Sequence, residues 1–163
     1  MPLAGPDDEK KSLRFVIRQA IDSDLSAIQQ LLQPFVEARK LLKRTRTEIL
    51  TLMSNGFVAE TPDSDGKAIV IGFSAIEIYS RKLSEIQCLA VADGYQGHGI
   101  GSELVRSCVE RARERGVLEV MAISASDSFL RNLGFDYSLP DQKRALFYQL
   151  KTREQLFTET NDE

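Results

Sequence analysis

This chain of 163 residues predicts a mixed α/β fold, on three observations. Short β-branched and aromatic runs alternate with stretches of helical period along most of its length. Three such runs follow one another between residues 57 and 91 with only turn residues between them, the pattern of an antiparallel meander. An amphipathic helix then separates the last of them from a further apolar run, and a strand-helix-strand crossover implies parallel pairing. The sum is a mixed sheet of about seven strands with about four helices. The expected organisation is one domain over residues 13–151, between a mobile tail at 1–12 and a polar tail at 152–163.

In order, Phe15-Val16-Ile17-Arg18 reads as the first strand. Asp22 or Ser23 should cap a helix in which Leu25, Ile28, Leu31 and Leu32 fall at helical spacing, and Pro34 should end or kink it. Thr45-x-x-Glu48 is a capping-box pattern. It opens a second helix that turns Ile49, Leu52 and Met53 inward, closed at Asn55-Gly56 as by a C-terminal cap. Phe57-Val58-Ala59 begins a strand, residues 61–66 form a turn cluster, and residues 68–79 and 83–91 supply two further strands. A helix over residues 100–115 carries Ile100, Leu104, Val105, Cys108 and Ala112 as one apolar stripe, and Gly116 stops it. Residues 117–123 form the crossover strand and 126–132 a short helix ending at Gly134. Residues 135–138 and 145–150 form two last strands.

Hydrophobic residues make up 42% and charged residues 28%, which suits a globular domain with a real core. A formal net charge of −3 gives no reason to expect nucleic acid as a partner. No apolar run is long enough to cross a bilayer, and the N-terminus lacks a secretory apolar region. Cys88 and Cys108 sit in apolar segments as reduced core thiols do, so the expected compartment is the cytoplasm. A homodimer is left open.

The most informative stretch is the run from Cys88 to Gly101: an apolar strand, a turn at Asp93-Gly94, then Gly97, Gly99 and Gly101 at alternate positions before the amphipathic helix. Strand, glycine loop and helix start gather free backbone N–H groups, and these attract anions such as phosphate. Glycine leaves the backbone bare for a close approach. A dinucleotide fingerprint would need glycine at position 102, where Ser102 stands, and would lie near the start of a βαβ unit. His98 is the only histidine and reads as solvent-facing, so no metal is expected.

The run Gln96-Gly97-His98-Gly99-Ile100-Gly101 resembles the acetyl-CoA-binding motif of the GNAT acetyltransferases, Gln/Arg-x-x-Gly-x-Gly/Ala, and the order of elements over residues 14–150 is that family's order. The resemblance implies the GNAT fold and acetyl-CoA as co-substrate. It implies a cofactor site made by Leu89, Ala90 and Val91 on the strand and by Gln96, Gly97, His98, Gly99, Ile100, Gly101 and Ser102 in the loop. It also implies an oxyanion-binding amide near Leu89 or Ala90.

Leu41-Leu42-Lys43-Arg44-Thr45 with Glu48, and the strand Ser84-Glu85-Ile86-Gln87-Cys88-Leu89-Ala90-Val91, are similar to the acetyltransferase domain of N-acetylglutamate synthases. That resemblance assigns Lys43 and Arg44 to the acceptor's carboxylates and Glu85 to its ammonium proton. It places Ser124, with Ser126 in reserve, as the acid for the leaving thiolate. Guanidinium groups do bind carboxylates bidentately, although five basic residues between 39 and 46 also suit a solvated face. A strand carboxylate can equally be exposed, and both serines can simply cap the short helix. Lys143 and Arg144 would add charge near the same mouth. The tyrosine that many GNAT enzymes carry in the short helix is replaced by Leu130. The expected activity is transfer of acetyl to a small amino acid such as L-glutamate. The alternatives are another amine (a polyamine, an antibiotic or a protein N-terminus) and a degenerate module that only binds acyl-CoA.

Overall fold

The computed structural model describes residues 12–137 and 146–158, and its centre is a strand buried on both faces, β3 (Ala68–Ile78). Residues 71–76 are all buried, so the run reads as continuously apolar apart from Ser74, whose hydroxyl donates to the Gln87 carbonyl at 3.2 Å. Around it lie β1 (Val16–Gln19), β2 (Gly56–Pro62), β4 (Leu83–Val91) and β5 (Glu119–Met121), in the order β1-β2-β3-β4-β5. The first four pair antiparallel, and β5 joins β4 in parallel through the expected crossover.

Alternation along the strands sends two sets of side chains to two helical layers. Phe73, Ala75, Cys88 and Ala90 pack under α1 (Leu25–Glu37) and α2 (Arg46–Met53), against Ile28, Leu31, Leu32, Ile49 and Met53. Ile71, Ala59 and Ile76 pack under α3 (Ile100–Glu114) through the stripe Ile100, Leu104, Cys108 and Ala112. The helix comes so near the sheet that a Cβ on Gly72 would lie 3.0 Å from Leu104 Cδ1 and 3.1 Å from Ile100 Cγ2. Two shorter helices follow, α4 (Ser128–Asn132) and α5 (Arg153–Thr158). Through α4 the order of elements is the one that the GNAT resemblance implies.

Several expectations need correction. Pro34 does not end α1, which runs on to Glu37, because in the last turn it denies a hydrogen bond only to the carbonyl of the exposed Gln30. The Ala38 amide bonds back to the Pro34 carbonyl at 3.0 Å, and Arg39, at φ 55°, is the residue that turns the chain. Neither Asp22 nor Ser23 caps α1; both lie in a 3-10 turn at Asp22–Asp24, and the buried Asp24 carboxylate accepts from the Ile21 amide at 2.8 Å. Gly56 is no C-cap: it begins β2, and glycine is required there because a Cβ would meet Phe73 Cε2 at 2.9 Å and Met53 Cα at 3.1 Å.

The sheet has five strands among the described residues, where about seven were expected. Residues 135–137 and 146–150 join no ladder, and positions 138 and 145, with Lys143 and Arg144, lie outside the described residues. β propensity records how a side chain fits a half-buried pleat, and no strand among the described residues receives these runs. β5, the outermost strand, is only three residues long, and Leu146, Tyr148 and Leu150 are exposed. Within the stretch expected as a polar tail, α5 forms.

Candidate active site

Three glycines with positive φ shape the turn between β4 and α3: Gly94 at 85°, Gly97 at 81° and Gly99 at 83°. An L side chain rarely adopts this conformation. Nothing lies within 4 Å of a Cβ built on any of them, so conformation, not crowding by the protein, is what asks for glycine. Gly101 differs; it is helical, with Phe129 and Val91 at ordinary contact distance. Gln96 braces the loop by donating from Nε2 to the Val91 carbonyl at 3.0 Å. The first bond from α3 back into the loop runs from the Glu103 amide to the Gly99 carbonyl at 3.1 Å. Among the described residues the amides of 97–102 therefore have no carbonyl partner, and they gather at the positive end of a 15-residue helix. His98 is exposed there.

The strand feeding this loop is bent by a bulge. Phe73 pairs with Ala90 and Ala75 with Gln87, so Ser74 alone faces both Cys88 and Leu89. Cys88 sits at φ 56°, the left-handed first position of such a bulge, held there by a buried side chain against α1 and α2. Beside the bulge the sheet opens. β4 pairs with β5 only at Leu83, Ser84 and Glu85, so among the described residues Leu89, Ala90 and Val91 have no strand on that side. This opening leads into the loop that carries the free amides.

On the α1/α2 face, beside the bulge, a polar cluster assembles from three elements. Glu77 of β3 and Glu85 of β4 are direct cross-strand partners. Between them the Tyr79 hydroxyl donates to Glu85, and Gln87 Nε2 donates to Glu77 at 3.0 Å and to the Tyr79 oxygen at 3.3 Å. From the loop before α2, Arg44 donates to Gln87 Oε1 at 2.9 Å. Partial burial and the Glu85 carboxylate push the Tyr79 phenol well above the ordinary tyrosine range. Burial also raises the Cys88 thiol, an effect that the Arg44 guanidinium partly offsets, so the thiol is no nucleophile. Arg44 is presented by the capping box of α2: Thr45 Oγ1 accepts from the Glu48 amide at 3.2 Å, and Glu48 accepts from the Thr45 amide at 2.7 Å.

Arg44 and Glu85 thus meet in one cluster, through Gln87 and Tyr79, and with Glu77 these are residues that sequence reasoning missed. Their signal was the hairpin register, since 77, 79, 85 and 87 share one face of adjacent strands. Lys43 is exposed and lines a small cavity of about 100 Å³ with Arg44, Leu41 and Gln33. Ser124 lies beyond β5, where its hydroxyl donates to the Ser126 carbonyl at 2.7 Å and accepts from the Ser126 amide at 3.1 Å. It borders a cleft of about 750 Å³ with Met121, Ile123, Leu130 and Phe135.

The family model for the acetyltransferase (GNAT) family matches residues 24–135, from the start of α1 through the glycine loop to the end of α4. The chain belongs to the GNAT acetyltransferase family. It is 34% identical to an uncharacterized N-acetyltransferase of Chlorobaculum tepidum, over 73% of this chain and 74% of that protein. It is 30% identical to the amino-acid acetyltransferase of Mycobacterium tuberculosis, over 78% and 72%. The crystal structure of N-acetylglutamate synthase from Neisseria gonorrhoeae complexed with coenzyme A and N-acetyl-glutamate matches with a TM-score of 0.63 and 27% identity. That match covers 75% of this chain and 28% of the larger one. Among the described residues of this GNAT enzyme, no helix is long and apolar enough to cross a membrane.

Proposed function

We propose that this GNAT enzyme transfers the acetyl group of acetyl-CoA to the amine of a small amino acid, L-glutamate first, by direct attack in a ternary complex. The observation that carries the reading is the meeting of Arg44 with Glu85 beside the bulge. A carboxylate-binding cation and a proton acceptor stand on the same face, next to the edge where a thioester would lie. The names of the relatives support it: one is an amino-acid acetyltransferase, and one structure carries N-acetyl-glutamate with coenzyme A.

The free amides of Gly97 to Ser102 suit a pyrophosphate, and Gln96 keeps the loop in shape to receive it. Leu89, Ala90 and Val91 offer the unpaired strand edge to the pantetheine arm, and a Leu89 or Ala90 amide meets the oxyanion. Arg44 and Lys43 hold the acceptor's carboxylates. Glu85 takes the ammonium proton, the freed amine attacks the thioester carbon, the C–S bond breaks as Ser124 gives its proton to the departing thiolate, and the second proton shed by the new amide nitrogen restores the serine hydroxyl. The test is release of CoA thiol, read with a thiol reagent. L-Glutamate should give thiol and N-acetylglutamate in equal amounts; no thiol above background with any of the twenty amino acids overturns the reading.

A further inference from the structure

Two carboxylates directly opposite one another on adjacent strands repel, and donors placed between them relieve the repulsion. Here the donors are fixed by elementary counting. Arg44 has no acceptor atom, so Gln87 must turn its Oε1 toward it, and Glu77 when ionised has no donor, so Gln87 must turn its amide nitrogen that way. That orientation leaves the second amide proton of Gln87 for the Tyr79 oxygen, and the single phenolic proton of Tyr79 goes to Glu85, the nearer carboxylate, with Glu77 at 3.2 Å. The four side chains form a hydrogen-bond chain of one direction, Arg44 to Gln87 to Tyr79 to Glu85.

We infer that Gln87 and Tyr79 are positioning residues of the transfer reaction, Gln87 fixing the guanidinium that takes the acceptor and Tyr79 fixing the carboxylate that takes its proton. The inference rests on the amino-acid acetyltransferase reading and adds to it how the two halves of the acceptor site are held in register. Without Gln87, Arg44 swings on a flexible stem; without Tyr79, Glu85 loses the bond that aims it. Tyr79 also lies under the field of two carboxylates, Glu85 and Glu77, with Gln87 as its donor.

The kinetic test splits the chain at its middle. Gln87→Leu should raise the acceptor KM roughly tenfold and leave the acetyl-CoA KM within about twofold. Tyr79→Phe should lower kcat roughly tenfold with the acceptor KM nearly unchanged, each the scale of one lost hydrogen bond to a charged group. Gln87→Asn, one methylene too short to bridge but harmless to folding, should repeat the Gln87→Leu pattern. With an active wild type, an unchanged acceptor KM in both Gln87 variants, or an unchanged kcat in Tyr79→Phe, overturns the inference and leaves the activity standing. An inactive wild type counts against the activity, and the chain is then decided by crystal structures of the wild type and Tyr79→Phe. Glu85 should turn away from position 79 in the variant; an unmoved carboxylate overturns the chain.

Discussion

The two halves of the site are encoded in opposite ways. The glycine loop is local: Gly94, Gly97 and Gly99, within six residues, set its conformation, and what it offers a ligand is backbone. The polar cluster is distributed: Arg44, Glu77, Tyr79, Glu85 and Gln87 come from one loop and one strand hairpin, and what they offer is side chains held by one another. A backbone site survives most changes around it and fails at its glycines. A side-chain cluster fails at any member.

The largest effect that can separate the halves is expected on the distributed side. Glu85→Gln should lower kcat by at least about a hundredfold, the usual worth of a general base, with the acetyl-CoA KM nearly unchanged. Initial rates at saturating acetyl-CoA check it. On the local side, Gly97→Val puts a β-branched residue at φ 81° and a side chain over the free amides. The acetyl-CoA KM should rise at least tenfold while the acceptor KM holds. Arg44→Ala should do the reverse, raising the acceptor KM roughly tenfold or more.

Much of this contrast was legible in the sequence and part of it was not. The loop could be read because glycine is the residue that φ near 80° demands, and the amphipathic stripe after it announces the helix. Glu85 and Arg44 were legible only through resemblance. Gln87 and Tyr79 were not, because their roles depend on a register that places Glu77 opposite Glu85. The bulge was invisible for a related reason: its left-handed residue is Cys88, held by packing where glycine would have signalled it. Pro34 and Gly56 misled for opposite reasons, one tolerated in a last turn and the other needed for space instead of conformation.

A third ionic group, remote from both halves in its contacts, serves as a control. Arg18 holds the buried Asp24 with two bonds of 2.8 and 2.9 Å and reaches Glu60 at 2.9 Å. Arg18 holds the Asp24 carboxyl below the usual carboxylate range, helped by the Ile21 amide. The stabilisation is therefore present above the unfolded carboxyl value of about 3.9 and is lost as pH falls through the lower folded value. Arg18→Ala should cost about 2 kcal/mol at neutral pH, discounted for its partial exposure, and flatten that acid loss. Denaturant melts from pH 7 down to pH 3 check it, and neither KM should move by more than about twofold. The smallest effect belongs to Thr45→Ala, which removes half the capping box beside Arg44. It should cost about 1 kcal/mol and, if it moves a kinetic constant at all, should move the acceptor KM alone.

Calorimetric titration of coenzyme A into the wild type, Gly97→Val and Arg44→Ala proteins tests the division most directly. The expected result is binding of one equivalent to the wild type and to Arg44→Ala with similar affinity, and loss of at least tenfold in Gly97→Val. No heat with the wild type, or equal losses in the two variants, would contradict it.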